Sequence, residues 1–72
     1  MSPEKTIRMA NQIATFFDSQ PQATRVTSVA AHLNDFWDPR MRAQLLEMLE
    51  ADPSPFHPLV QEAGDKVRAP AA

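Results

Sequence analysis

Prolines divide this chain into segments and limit where each helix can begin. Pro3, Pro21 and Pro39 are far enough apart to leave room for a helix of several turns after each of them. Pro39 is the most informative, because Asp38 before it is a good N-cap residue and proline is favoured at the first helical position. The residue before a proline also disfavours helical backbone. One helix must therefore end near Trp37, and another must begin at Pro39.

Apolar residues recur with a helical period in the segments that the prolines define. They predict helices over about residues 3–18, 22–37 and 39–51. Three prolines within residues 53–58 exclude regular structure there, and a short helix then leads to Gly64, expected at its C-terminal end. The predicted fold is all-α: a small antiparallel three-helix bundle, a Pro-rich extended segment and a short C-terminal helix.

The chain has 72 residues and is expected to form one helical domain over residues 1–64, followed by a flexible tail over 65–72. Phe56 is expected to anchor the extended segment. A chain of this size buries only about 60% of its unfolded surface, so it is marginally stable alone. The expected core consists of apolar residues from the three longer helices: Ile7, Ile13, Phe17, Val29, Leu33, Leu45 and Leu49.

The residues that catalysis and cofactor binding require are scarce in this chain. There is no cysteine, which excludes disulfides and thiolate metal sites, and two histidines are too few for a structural zinc site. One glycine cannot form a phosphate-binding loop, and no serine stands in a nucleophile motif. We therefore expect no catalytic residue, no metal site and no cofactor, and assembly with another chain remains as the means of stabilisation.

The net charge of −2 gives no basic patch for a nucleic-acid backbone. No apolar run approaches the ~18 residues of a membrane span, and no signal peptide is visible, so a cytoplasmic protein is expected. Residues 36–42 have the outline of a helix-turn-helix motif. The helix that would read DNA continues with apolar and acidic residues, however, which disfavours that function.

Several residues have more than one explanation at this stage. The apolar sector of the first helix covers about half its circumference, which is wider than a surface helix needs for its own core. That helix either lies deep in the bundle, or Met9 and Phe16 at one edge of the sector face a second protein. Trp37 is either a core residue or an interface residue.

Two arginines occupy the first turn of the third helix. Cations at a helix N-terminus are unfavourable by roughly 0.3–1 kcal/mol each, so an acidic or carbonyl-rich partner would account for them. Arg42 lies at an apolar face, where its stem can also snorkel. The expected partner interface consists of Met9, Phe16, Phe36, Trp37, Arg40 and Arg42.

Three segments together resemble the delta subunit of soluble NAD-dependent formate dehydrogenase. They are residues 9–17, residues 29–42 and residues 58–60, and their order and spacing match that small family over most of residues 7–63. The run Phe-Trp-Asp-Pro-Arg-Met-Arg, at positions 36–42, is the specific part of the match.

The resemblance implies membership of a cytoplasmic, multi-subunit molybdenum- or tungsten-dependent enzyme. In that family the alpha subunit oxidises formate, and iron–sulfur clusters and a flavin pass the electrons to NAD⁺. The delta subunit has no cofactor of its own and supports assembly, stability or maturation of the catalytic alpha subunit. The alternative function is that of a free-standing helical adaptor or transient chaperone.

Overall fold

The computed structural model describes residues 2–69, and over this range the regular structure is entirely helical. The predicted helical class is confirmed, and the three longer helices end within one residue of the predicted bounds. A single 3₁₀ turn, Gly64–Lys66, follows the last α-helix. The α-helices, in chain order, are α1 (Pro3–Phe17), α2 (Gln22–Phe36), α3 (Pro39–Ala51) and α4 (Pro58–Ala63).

Short-range capping bonds determine where three of these helices begin. Ser2 caps α1. Asp38 caps α3, because its Oδ1 accepts a hydrogen bond of 2.9 Å from the backbone N–H of Met41. His57 caps α4, because its Nδ1 accepts from the N–H of Leu59 at 3.0 Å. Each of these helices also has proline at its first position, where no intrahelical donor is lost.

The short helix α4 is part of the core, which the prediction of a three-helix bundle did not anticipate. It packs chiefly against α2 and also contacts α1, whereas α3 packs against α1. Leu59, Val60 and Ala63 of α4 are buried, and so is Phe56 just before it, as expected for an anchor. A helix of six residues is too short to show a clear period, so its place in the core is decided by tertiary contacts.

The expected core is correct at three positions and incomplete elsewhere. Val29, Leu33 and Leu45 are fully buried. The buried set also includes Ala10 and Ala14, whose small side chains let other elements approach α1 closely. The remaining expected core residues are partly buried and pack against this cluster: Ile7, Ile13, Phe17 and Leu49.

Gly64 serves a different purpose from the one predicted. Its backbone is right-handed helical, with φ −52° and ψ −37°, so no left-handed helix cap is present there. A Cβ atom at this position would lie 2.9 Å from Cδ1 of Leu49. The missing side chain therefore allows the end of α4 to lie directly against α3.

The proline-rich loop (residues 52–57) is held by one asparagine of α1. The side-chain amide of Asn11 donates to the carbonyl of Pro55 at 3.0 Å and accepts from the N–H of His57 at 2.8 Å. A turn closed by the N–H of Phe56 on the carbonyl of Pro53, at 3.0 Å, shapes the same loop. These bonds place Phe56 in the core without any regular structure.

A second asparagine holds the segment that follows α4. Asn34 of α2 donates to the carbonyl of Lys66 at 3.1 Å and accepts from the N–H of Arg68 at 2.8 Å, and Val67 between them is buried. The sequence predicted a tail directly after α4, yet these contacts extend the folded part to Arg68. The end of that predicted tail, residues 70–72, lies outside the described residues.

Candidate partner-binding groove

An open groove of about 570 Å³ lies among α1, α2 and the start of α3. Its lining is almost entirely apolar and aromatic, with one amide and one imidazole. The lining residues are Met9, Gln12, Ile13, Phe16, Phe17, His32, Phe36, Trp37 and Met41.

Two large aromatic side chains at this groove are exposed to solvent. Phe16 is 65% exposed and Phe36 is 74% exposed. Complete burial of such a side chain is favourable by roughly 1.5–3 kcal/mol, so leaving both in water forgoes a substantial gain. A contiguous apolar patch of this kind is typical of a surface that binds another protein.

The aromatic side chains contact one another across the groove. The ring centroids of Phe16 and Phe17 lie 5.0 Å apart in an edge-to-face arrangement, and those of Phe17 and His32 lie 6.3 Å apart. His32 in turn lies 4.7 Å from Phe36, with the ring planes tilted by 34°. These ring contacts link α1 to α2, so the surface is largely formed before any partner binds.

Phe36 and Trp37 are adjacent in sequence but point to different environments. The α2 helix ends after Phe36, and Trp37 adopts extended backbone with φ −87° and ψ 133°. Trp37 is only 4% exposed and lies in the core beneath the groove, whereas Phe36 lies at the surface. The sequence left both explanations of Trp37 open, and the structure makes it a core residue that also lines the groove.

The two arginines are also separated by the structure. Arg42 donates from Nη1 to the carbonyl of Trp37 at 2.6 Å and from Nε to the carbonyl of Arg68 at 3.0 Å. The sequence predicted that Arg42 pairs with a carboxylate or carbonyl groups of a partner, whereas both carbonyls bound here belong to the same chain. Arg40 is exposed and does not line the groove.

The groove brings together Met9, Phe16, Phe36 and Trp37 of the predicted interface. Sequence reasoning missed its other members, having assigned Ile13 and Phe17 to the core. The available signal was the breadth of the apolar sector of α1, which supplies more apolar surface than the core covers. The missed lining residues are Gln12, Ile13, Phe17, His32 and Met41.

The arrangement suits binding rather than chemistry. Of the lining residues, His32 alone has a titratable side chain, so the groove holds no pair of acid and base. Residues 2–69 include no group of three or more His, Asp or Glu side chains placed to hold a metal ion. Within the same range, no helix has the length and apolar character needed to cross a membrane.

The family model of the NADH-dependent formate dehydrogenase delta subunit, FdsD, matches residues 5–63. The chain belongs to the FdsD family. This confirms the resemblance drawn from the sequence. The FdsD match begins in the first turn of α1 and ends with the last residue of α4, so it includes every residue that lines the groove. No curated protein and no solved structure shows significant similarity to the chain.

Proposed function

We propose that this FdsD-family chain is a non-catalytic accessory subunit of a cytoplasmic NAD-dependent formate dehydrogenase complex. It has no cofactor of its own and supports assembly, stability or maturation of the catalytic alpha subunit. The observation that supports this most directly is the preformed apolar groove with Phe16 and Phe36 exposed at its edge.

In this proposal the groove is the surface that contacts the alpha subunit. Met9, Phe16 and Phe36 pack against the partner, and Trp37 forms the base on which they rest. Buried aromatic residues at the centre of an interface supply much of the binding energy. Arg42 contributes indirectly, because its bonds hold the backbone at Trp37.

The small size of the chain supports an obligate partner. A short chain with few buried side chains is marginally stable, and a partner that binds only the folded form stabilises it by mass action. We therefore expect the isolated chain to be weakly stable or self-associated, and the assembled chain to be more resistant to unfolding.

Co-purification tests the proposal and separates it from a transient chaperone role. An affinity-tagged chain is co-expressed with the formate dehydrogenase subunits, washed in high salt and passed through size-exclusion chromatography. Its stoichiometric presence in the active enzyme, measured by mass spectrometry, is the expected result. Its absence from the mature enzyme would instead indicate a chaperone that leaves after assembly.

Substitutions at the exposed aromatic positions test whether the groove binds the alpha subunit. Phe16→Ser combined with Phe36→Ser removes two rings without emptying the core. Loss of one hot-spot side chain costs on the order of 2 kcal/mol, so at least a roughly thirtyfold loss of affinity is expected. Glu47→Ala, at an exposed position outside the groove, is the control and should retain normal affinity.

A further inference from the structure

His57 lies at the junction between the proline-rich loop and α4. Its backbone N–H donates to Oδ1 of Asn11 at 2.8 Å, and its carbonyl accepts from the N–H of Val60 at 2.8 Å. Phe56 before it and Leu59 after it are both buried. The main chain of His57 is therefore held on both sides, close to two residues of the core.

The imidazole of His57 completes the start of α4. Its Nδ1 accepts a hydrogen bond of 3.0 Å from the N–H of Leu59. An N–H in the first turn of a helix has no partner within the helix, so this bond satisfies a donor that the helix itself leaves free. A ring nitrogen accepts only through a lone pair. The cap therefore requires a neutral imidazole that carries its proton on Nε2.

A second ring proton and the cap compete for the same lone pair. In the imidazolium both ring nitrogens are donors, so an Nδ1–H would face the N–H of Leu59 and the bond would be lost. A positive charge at a helix N-terminus is also unfavourable. Histidine ordinarily changes its charge between about pH 5 and 8. Ser2 and Asp38 cap the other helices through oxygen atoms, which can accept a hydrogen bond throughout this range.

The charges around His57 allow its ring to take up a proton within the folded chain. A cavity of about 470 Å³ beside it is lined by one charged residue each from the end of α1, from α2 and from α4, which are Asp18, Arg25 and Glu62, and by no residue of α3. Asp18 and Arg25 form an ion pair at 3.9 Å. Glu62 has no ion-pair partner within residues 2–69, so its carboxylate is available to attract an imidazolium.

We infer that His57 is a pH-sensitive helix cap, which closes α4 when its ring is neutral and releases the first turn of α4 when the ring is protonated. The bonds of Asn11 to the main chain of the loop do not involve the imidazole, so they remain. Mild acid should therefore open the start of α4 locally and leave the longer helices folded.

Nuclear magnetic resonance of the full chain tests this cap. At about pH 7.5, the nitrogen chemical shifts of the His57 ring should show a proton on Nε2 and none on Nδ1. Lowering the pH to about 5.5 should reduce the hydrogen-exchange protection of the Leu59 amide about fivefold, after correction for the intrinsic exchange rate, because one helix cap is lost. The amide of Leu45 in α3 is the internal reference and should keep its protection.

Two variants assign the effect to this ring. His57→Asn retains a cap that does not titrate, since asparagine is among the preferred N-cap residues, and its Leu59 amide should be equally protected at both pH values. His32→Gln removes the other histidine and should retain the fivefold decrease.

Urea unfolding gives a second measurement. The midpoints of the native chain and of His32→Gln should be lower at about pH 5.5 than at about 7.5, whereas that of His57→Asn should change much less. A proton on Nδ1 at the higher pH, unchanged protection of Leu59 in the native chain, or an equal decrease in His57→Asn would overturn the inference.

Discussion

Arg42 donates a 2.6 Å hydrogen bond from Nη1 to the carbonyl oxygen of Trp37. The same guanidinium donates from Nε to the carbonyl of Arg68 at 3.0 Å. One side chain of α3 thus ties the end of α2 to the segment that follows α4. Because Trp37 lines the groove, this link also supports the surface that we propose as the contact with the alpha subunit.

Removing the donors of Arg42 should loosen both connections. Arg42→Met keeps most of the aliphatic stem and loses two charge-assisted bonds, so we expect a destabilisation of about 1–3 kcal/mol in denaturant unfolding. The emission of Trp37, the only tryptophan, should shift to longer wavelength as water reaches it. Arg40→Met is the matched control at an exposed site, and identical behaviour of the two variants would contradict the role of Arg42.

Asn11 offers a graded test of how the proline-rich loop is held. Asn11→Asp retains the acceptor for the N–H of His57 but loses the donor to Pro55, and Asn11→Ala loses both. We expect Asn11→Ala to lower the free energy of unfolding by about 1–3 kcal/mol, and Asn11→Asp to lower it by a smaller amount. Hydrogen exchange at His57 measures the effect. Equal protection in all three chains would show that the loop is held by Phe56 alone.

The contribution of α4 to the core is tested by Leu59→Ala. Leu59 is buried in a helix that packs against α2 and α1, so its truncation should cost about 2–5 kcal/mol, as for other buried leucines. Glu62→Ala on the same helix is exposed and should change the free energy of unfolding by less than about 0.5 kcal/mol. A small effect at Leu59 would contradict the contribution of α4 to the core.

The exposed aromatic residues should govern how the isolated chain associates. Phe16→Ser with Phe36→Ser should shift the sedimentation of the isolated chain towards that of the monomer, because less apolar surface is available for contact between copies. Helical content should be preserved, because neither side chain belongs to the buried core. An unchanged distribution of oligomers would place self-association on another surface.

The carboxylate of Asp52 should contribute to the loss of stability of the fold at acidic pH. Hydrogen bonds from the Ser54 side chain, and then from its backbone N–H, lower the pKa of Asp52 below the ordinary value of 3.8. The stabilisation by its ionised form is therefore complete above the ordinary pKa and is lost as the pH falls through the lowered one. Asp52→Ala should make the free energy of unfolding, measured in urea, slightly less dependent on pH between about 5 and 2. Glu50→Ala is the control.

Local sequence determined the helices of this protein. Caps, first-position prolines and the apolar period act over at most four or five residues, so the bounds of α1, α2 and α3 could be predicted within one residue. The family was equally accessible, because its specific run is continuous in sequence. The breadth of the apolar sector of α1 left open whether that sector lies in the core or faces a partner.

Tertiary structure decided how these helices meet and which side chains stay exposed. Asn11 holds the loop at Pro55, and Asn34 holds the backbone at Arg68. The two partners in each pair are far apart in sequence, and no periodic pattern predicts that they meet. The segment held by Asn34 supplies the carbonyl of Arg68 to Arg42, and in the folded chain Trp37 is buried while Phe36 remains in solvent. Local preferences specify backbone conformation, but the partner of a side chain depends on residues that only the folded chain brings together.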